Sequence, residues 1–121
     1  MRDKTSVSVR KTACIDRMAK MTIDEYAAWA TRLDKASSAT SLEAQELSYL
    51  GLGLAGETGE VVEHLKKFLR DGVWLPERVA DELGDVAYDW ARLCLATGHH
   101  PSDILQKSVQ KIEAKAQQNS N

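Results

Sequence analysis

The chain has 121 residues, enough for one domain with a modest core but too few for two such domains. Its 43% hydrophobic and 28% charged residues are typical of a globular protein, and a net charge of -2 without a basic patch excludes the electrostatic profile of a nucleic-acid-binding protein. No apolar run approaches the ~20 residues that span a bilayer, and Cys14 and Cys94 are too far apart for a zinc motif, so we expect a cytoplasmic protein with no membrane contact.

The N-terminal residues 1–20 are polar and carry several basic side chains. We expect them to form a lead-in to the folded domain, and without an apolar segment they do not resemble a signal peptide. The domain begins at Thr22, where Thr-Ile-Asp-Glu matches the S/T-x-x-E capping box and predicts a helix from Thr22 to about Lys35. The Ser- and Ala-rich stretch 36–41 predicts a loop.

Three further helices follow from apolar periodicity and from the positions of proline and glycine. Their predicted bounds are about 42–71, ended by Gly72; 76–97, opened by Pro76; and 101–117, opened by Pro101. No segment alternates like a strand, so the sequence predicts an all-α fold of the helical-hairpin or four-helix-bundle type. The predicted domain covers residues 21–117 and leaves a frayed tail at 118–121.

Two segments of the second and third helices repeat one pattern, offset by 25 residues from position 57 to position 82. Residues 55–61 read A-x-E-x-G-E-V, and residues 80–86 read A-x-E-x-G-D-V. At about 100° per residue, the two acids of each segment border the apolar stripe of their helix. These acids are Glu57 and Glu60 in the first segment and Glu82 and Asp85 in the second.

If the two stripes pack in an antiparallel hairpin, the four carboxylates approach one another. Mutual repulsion would then force some to bind protons unless a cation neutralises them. Hard oxygen ligands suit Mg²⁺ or Mn²⁺, which also bind substrate phosphates. The repeat therefore predicts a divalent metal site for phosphate chemistry. The alternative is a pair of solvated helix faces, since acid pairs at this spacing are common in a chain with 18 acidic residues.

Glycines accompany the acids inside both predicted helices. Gly53, Gly59 and Gly84 each cost about 1 kcal/mol of helix stability relative to alanine. We therefore expect a backbone or a ligand to approach closely there. The stretch 51–56 also matches the dinucleotide fingerprint G-x-G-x-x-G, but it follows a predicted helix rather than the strand that this fingerprint requires.

The stretch 52–61, followed by 82–86, resembles the MazG-like nucleotide pyrophosphohydrolases, whose pattern is E-x-x-E, a spacer, then E-x-x-D. The resemblance extends over roughly residues 21–115. It implies hydrolysis of a nucleoside or deoxynucleoside triphosphate to the monophosphate and pyrophosphate, with Mg²⁺ as cofactor and Mn²⁺ as a substitute. It also implies a homodimer or homotetramer, in which oligomerisation completes the core. By the same resemblance, the metal ligands and catalytic groups are Glu57, Glu60, Glu82 and Asp85.

Several further residues are weaker candidates for substrate contacts. His64 and Asp89 occupy equivalent positions of the 25-residue repeat, as do Lys67 and Arg92, and all four lie on the acid side of their helices. Lys67 and Arg92 could contact phosphates and Asp89 the metal or base, although local pairing with nearby acids explains them equally well. Two more candidates are Trp74, which could stack on a base, and Lys111. Many MazG-like proteins have an asparagine three residues before a lysine near this end; here the lysine is present as Lys111, but Ser108 stands in place of the asparagine.

Two alternatives to the triphosphate pyrophosphohydrolase stay open. The first is a helical dimerisation or antitoxin-like binding module whose acids merely solvate its surface. The second is a pyrophosphohydrolase that acts on a different nucleotide. Convergence of the acids in one cavity would favour an enzyme, whereas splayed acids would favour the module.

Overall fold

The computed structural model describes residues 21–33 and 43–120, and within these ranges it contains four helices and no strand. The predicted all-α fold is confirmed. The predictions for residues 1–20 and for the loop 36–41 lie outside the described residues. The helices are α1 (Ile23–Leu33), α2 (Glu43–Asp71), α3 (Pro76–Ala96) and α4 (Pro101–Asn119), the last of which continues two residues past its predicted end at 117.

Local sequence signals set the observed helix ends. The Thr22 backbone N–H donates to Glu25 Oε2 at 2.7 Å, and the Glu25 N–H donates to Thr22 Oγ1 at 3.1 Å, which is the reciprocal geometry of the predicted capping box. Pro76 and Pro101 occupy the first position of α3 and α4, where a missing N–H costs no helical hydrogen bond.

Helices α2 and α3 form an antiparallel hairpin joined by residues 72–75. Gly72 follows α2 with a φ of 72°, a left-handed conformation that glycine adopts without strain. Among the described helices, α2 packs against α3 alone, whereas α3 also contacts α1 and α4. Helix α3 is therefore the central element, and it positions the others.

The buried core is small and centres on the contact between α1 and α3. Ala27, Ala30 and Ala91 are fully buried, and these small side chains let the two helices approach closely. The apolar stripe of α2 is covered at Leu50, but its C-terminal end is not: Leu69 is 88% exposed. The predicted stripe is thus buried only along part of its length, because no described helix other than α3 covers α2.

No helix in the described parts of the chain combines the length and the apolar character needed to cross a membrane.

A side chain of α1 caps the start of α4. The Ser102 backbone N–H donates to Asp24 Oδ1 at 3.0 Å, and the Ser102 hydroxyl donates to Asp24 Oδ2. These two hydrogen bonds hold the pKa of Asp24 below its usual value of 3.8. Because the carboxylate also lies at a helix N-terminus, it stabilises α4 and ties it to α1.

We expect Asp24→Asn to lower the melting temperature at neutral pH, because the neutral amide loses the charge-assisted hydrogen bonds. The pKa of Asp24 is lower in the folded state, so its contribution is present above the unfolded value of 3.8 and disappears as the pH falls through the folded pKa. Thermal unfolding at neutral pH and near pH 2.5 measures this. Asp81→Asn, at an exposed acid of α3, is the control; an equal Asp24→Asn effect at both pH values would contradict the prediction.

Candidate metal centre

Three of the four predicted acids converge across the hairpin. Glu57 of α2 and Glu82 and Asp85 of α3 each offer one carboxylate oxygen, and these three oxygens lie within 4.8 Å of one another. Glu57 and Glu82 are half-buried, and Asp85 is exposed. The cluster therefore lies at the edge of the helix contact, open to solvent on one side.

Glu60 is exposed and is not one of these three converging acids. It lies about 60° further round α2 than Glu57, away from the contact with α3. Its charge still acts on the cluster, since it contributes to the raised pKa of Glu57. The structure therefore places Glu60 at the border of the cluster.

Burial and neighbouring negative charges both act on the carboxylates of the cluster. Burial is the largest cause of the raised pKa of Glu57, followed by the negative charges of Asp85, Asp89 and Glu82. Three carboxylates in one place are hard oxygen donors, which suit Mg²⁺ or Mn²⁺. Adjacent ligands of an octahedral Mg²⁺ at about 2.1 Å are about 3.0 Å apart and opposite ligands about 4.2 Å apart, so the three oxygens, which lie within 4.8 Å of one another, would move closer together around an ion.

His64 contacts the cluster from α2. Its Nε2 lies 3.3 Å from Glu82 Oε1, and both side chains are less than a quarter exposed. Histidine rings and other polar groups occur in the same position as outer partners of metal-bound carboxylates. The helical repeat placed His64 on the acid side of α2 but did not identify Glu82 as its partner.

A cavity of about 690 Å³ extends from the acid cluster along the hairpin. Its volume lies in the range of small-molecule sites. Glu57 and Asp85 line one end, and Asp89 and Arg92 follow on α3. The other lining residues are Leu33, Tyr49, Leu52, Gly53 and Tyr88.

A side chain, rather than the expected backbone or ligand, lies close to Gly53, one of the three glycines. A Cβ at this position would lie 2.9 Å from Asp89 Oδ2 and 3.2 Å from its Cγ. At Gly59 and Gly84 nothing among the described residues lies within 4 Å of such a Cβ. The close approach is therefore confined to the contact of Gly53 with Asp89.

The structure places two of the weaker candidates for substrate contacts, Asp89 and Arg92, in the cavity wall and a third, Lys67, outside it. Asp89 and Arg92 line the cavity, and the Arg92 guanidinium lies 5.2 Å from the centre of the Tyr88 ring. Lys67 lies elsewhere on α2, with its Nζ 3.8 Å from Glu63 Oε1 in the local pairing that was the alternative explanation.

Trp74 and Lys111 do not line this cavity in the described part of the chain. The Trp74 ring packs against Phe68 with 5.1 Å between ring centres, so its nearest aromatic partner is in the hairpin itself. Lys111 lines a different cavity of about 420 Å³, together with Ser108, Lys107 and His99.

Sequence reasoning missed the apolar wall formed by Leu33, Tyr49 and Leu52. Leu33 is the last residue of α1, and no local pattern indicates that this helix end faces α2 and α3. Tyr49 and Leu52 lie on the outer side of α2, where large side chains resemble ordinary surface residues. Periodicity within one helix therefore carried no signal for this wall.

Comparison with known proteins gives one relative. The chain is similar to the "Gene 37 protein" of Mycobacterium phage L5, with 38% identity over 74 residues, which cover 57% of this chain and 65% of that protein. The match thus spans less than two thirds of that relative, whose name states no activity. No family model matches the chain, and no solved structure matches it.

We expect Mg²⁺ or Mn²⁺ to raise the melting temperature by several degrees, because the three carboxylates converge only in the folded chain. Glu82→Gln should abolish this shift, whereas Asp81→Asn, an exposed acid one residue earlier, should keep it. Differential scanning calorimetry with and without the ion measures both. An equal shift in the two variants would assign the effect to general charge screening instead.

Proposed function

We propose that this protein is a cytoplasmic, Mg²⁺-dependent pyrophosphohydrolase of nucleoside or deoxynucleoside triphosphates, similar to the MazG-like enzymes. The observation that carries the proposal is the position of the acids. Glu57, Glu82 and Asp85 converge, and two of them line the end of a cavity large enough for a nucleotide. A metal-bound triphosphate at that end would leave the rest of the cavity for the nucleoside.

The residues of the cluster have distinct tasks in this proposal. Glu57, Glu82 and Asp85 would hold the ion, which supplies charge stabilisation at the phosphate and lowers the pKa of a bound water. His64 orients Glu82 through the contact at 3.3 Å. A carboxylate not fully engaged in ligation accepts the proton of the attacking water, and Glu60 is near enough to contribute charge to the same site.

The alternatives differ in what they require of the acids. A helical binding module needs no convergence, and its acids would be splayed over the surface. The three carboxylate oxygens within 4.8 Å of one another therefore support the enzyme. A pyrophosphohydrolase of a different nucleotide stays an alternative within the same chemistry, because a cavity wall of tyrosine and leucine does not specify a base.

We expect the protein with Mg²⁺ to release pyrophosphate from some member of a panel of ribo- and deoxyribonucleoside triphosphates. Glu57→Gln should lower kcat/KM at least about a hundredfold, as for other groups that stabilise transition-state charge, while Asp81→Asn should have little effect. Product analysis that separates pyrophosphate from orthophosphate measures both. Release of orthophosphate alone, or full activity in Glu57→Gln, would contradict the proposal.

We also propose that the chain forms a homodimer or homotetramer. Helix α4 carries an apolar stripe at i, i+4 and i+7, formed by Leu105, Val109 and Ile112, and each of these is at least 46% exposed. Leu65 and Leu69 on α2 are exposed as well, and contiguous apolar patches of this kind often mark an interface with another chain. A second copy can cover such a self-complementary helix face.

Val109→Glu should shift the chain toward the monomer, because it places a charge in the middle of the α4 stripe. Gln110→Glu adds the same charge at the neighbouring exposed position outside the stripe and should leave the assembly intact. Light scattering coupled to size-exclusion chromatography gives the mass of each. A monomeric wild-type chain would contradict the oligomer without affecting the metal centre.

A further inference from the structure

Asp89 occupies a defined position in the cavity wall, one helical turn from the acid cluster. It follows Asp85 by four residues on α3, which corresponds to about 6 Å along the helix axis. It is not one of the three converging acids. Its carboxylate lies against Gly53 of α2, where a Cβ would come within 2.9 Å of Oδ2 and 3.3 Å of Oδ1.

The cavity has three levels along the antiparallel hairpin. Glu57 faces Asp85 at the first level, and Gly53 faces Asp89 at the second. Tyr49 and Arg92 line the third level, one further turn along each helix. A nucleoside triphosphate has the same order of parts, because the sugar directly follows the phosphates and the base follows the sugar.

The charge of the second level suits the sugar. An ionised carboxylate accepts hydrogen bonds and repels phosphate oxygens, so the part of the nucleotide that it can bind at this level is a hydrogen-bond donor, such as a sugar hydroxyl. Resting on the proposed function, we propose that Asp89 accepts a hydrogen bond from a sugar hydroxyl of the nucleotide. Gly53 is the positioning residue that leaves room for this carboxylate beside the backbone of α2.

An N–H group of the base, either an amino group or the ring N–H of guanine, thymine or uracil, is the other nucleoside donor that Asp89 could bind. The spacing favours the sugar, because Asp89 is one helical turn from the acid cluster and the sugar is the part of the nucleotide that directly follows the phosphates. The two donors make different demands on substrates. A sugar contact depends on the hydroxyl and is the same for all bases, whereas a base contact differs from one base to the next and does not require the hydroxyl.

The test compares each deoxynucleoside triphosphate with its 2′,3′-dideoxy analogue, and each ribonucleotide with its deoxy form, for wild type and Asp89→Ala. We expect the wild type to lose about ten- to a hundredfold in kcat/KM when the contacted hydroxyl is removed, as for a hydrogen bond to a charged group. Asp89→Ala should lose a similar factor on the hydroxyl-bearing substrate. It should then show almost no further loss on the analogue without that hydroxyl.

If the alanine variant does not fold, Asp89→Asn replaces it, because the amide keeps the shape of the side chain. This variant should partly reduce the ratio of kcat/KM between substrates with and without the contacted hydroxyl. Gly53→Ala should also reduce it by displacing the carboxylate, while Asp81→Asn should keep wild-type discrimination. Equal losses by Asp89→Ala with and without the sugar hydroxyls would overturn the inference, and so would losses confined to amino-bearing bases. Both results would leave the proposed function in place. A wild-type chain that hydrolyses no nucleotide would overturn the proposed function and this inference with it.

Discussion

Packing of α2 against α3 is the constraint on which the rest of the structure depends. It is the contact that holds α2, since α3 is the one described helix against which α2 packs. The same contact brings Glu57 to Glu82 and Asp85 and places the Asp89 carboxylate against Gly53. The burial of apolar side chains between α2 and α3 therefore stabilises a hairpin in which the acids repel one another. The packing of this one helix pair therefore determines both the hairpin of the fold and the positions of the acids in the candidate site.

Much of this arrangement could be predicted because its signals are local. The capping box at Thr22 and the prolines at 76 and 101 act on their own helix ends, so neighbouring residues suffice to place them. The repeated acid pattern gave the angular position of each carboxylate on its helix. It did not give the axial offset between the helices. That offset decides which acids meet across the hairpin, and it brings Asp85 to Glu57 while Glu60 stays outside the group.

The cavity was harder to predict, because its wall combines elements distant in sequence. Leu33 ends α1 and lies beside residues of α2 and α3, although no periodicity links these positions. Contacts with near neighbours in sequence also decide where two of the candidate side chains lie. Lys67 pairs with Glu63 one turn away, and Trp74 packs on Phe68, so neither reaches the cavity. A side chain's angle on its helix indicates a direction, but competition among neighbours determines its contact.

Two features of the hairpin point to coupling between stability and function. Burial, followed by the negative charges of Asp85, Asp89 and Glu82, raises the pKa of Glu57, so the folded chain disfavours the ionised form of this carboxyl. The C-terminal end of the α2 stripe is also left uncovered, since Phe68 and Leu69 are exposed. A bound cation would neutralise negative charge at the acid cluster, and a second copy of the chain would cover the exposed Phe68 and Leu69. In the proposed function both would bind only the folded helix pair, so each would increase the free energy of unfolding.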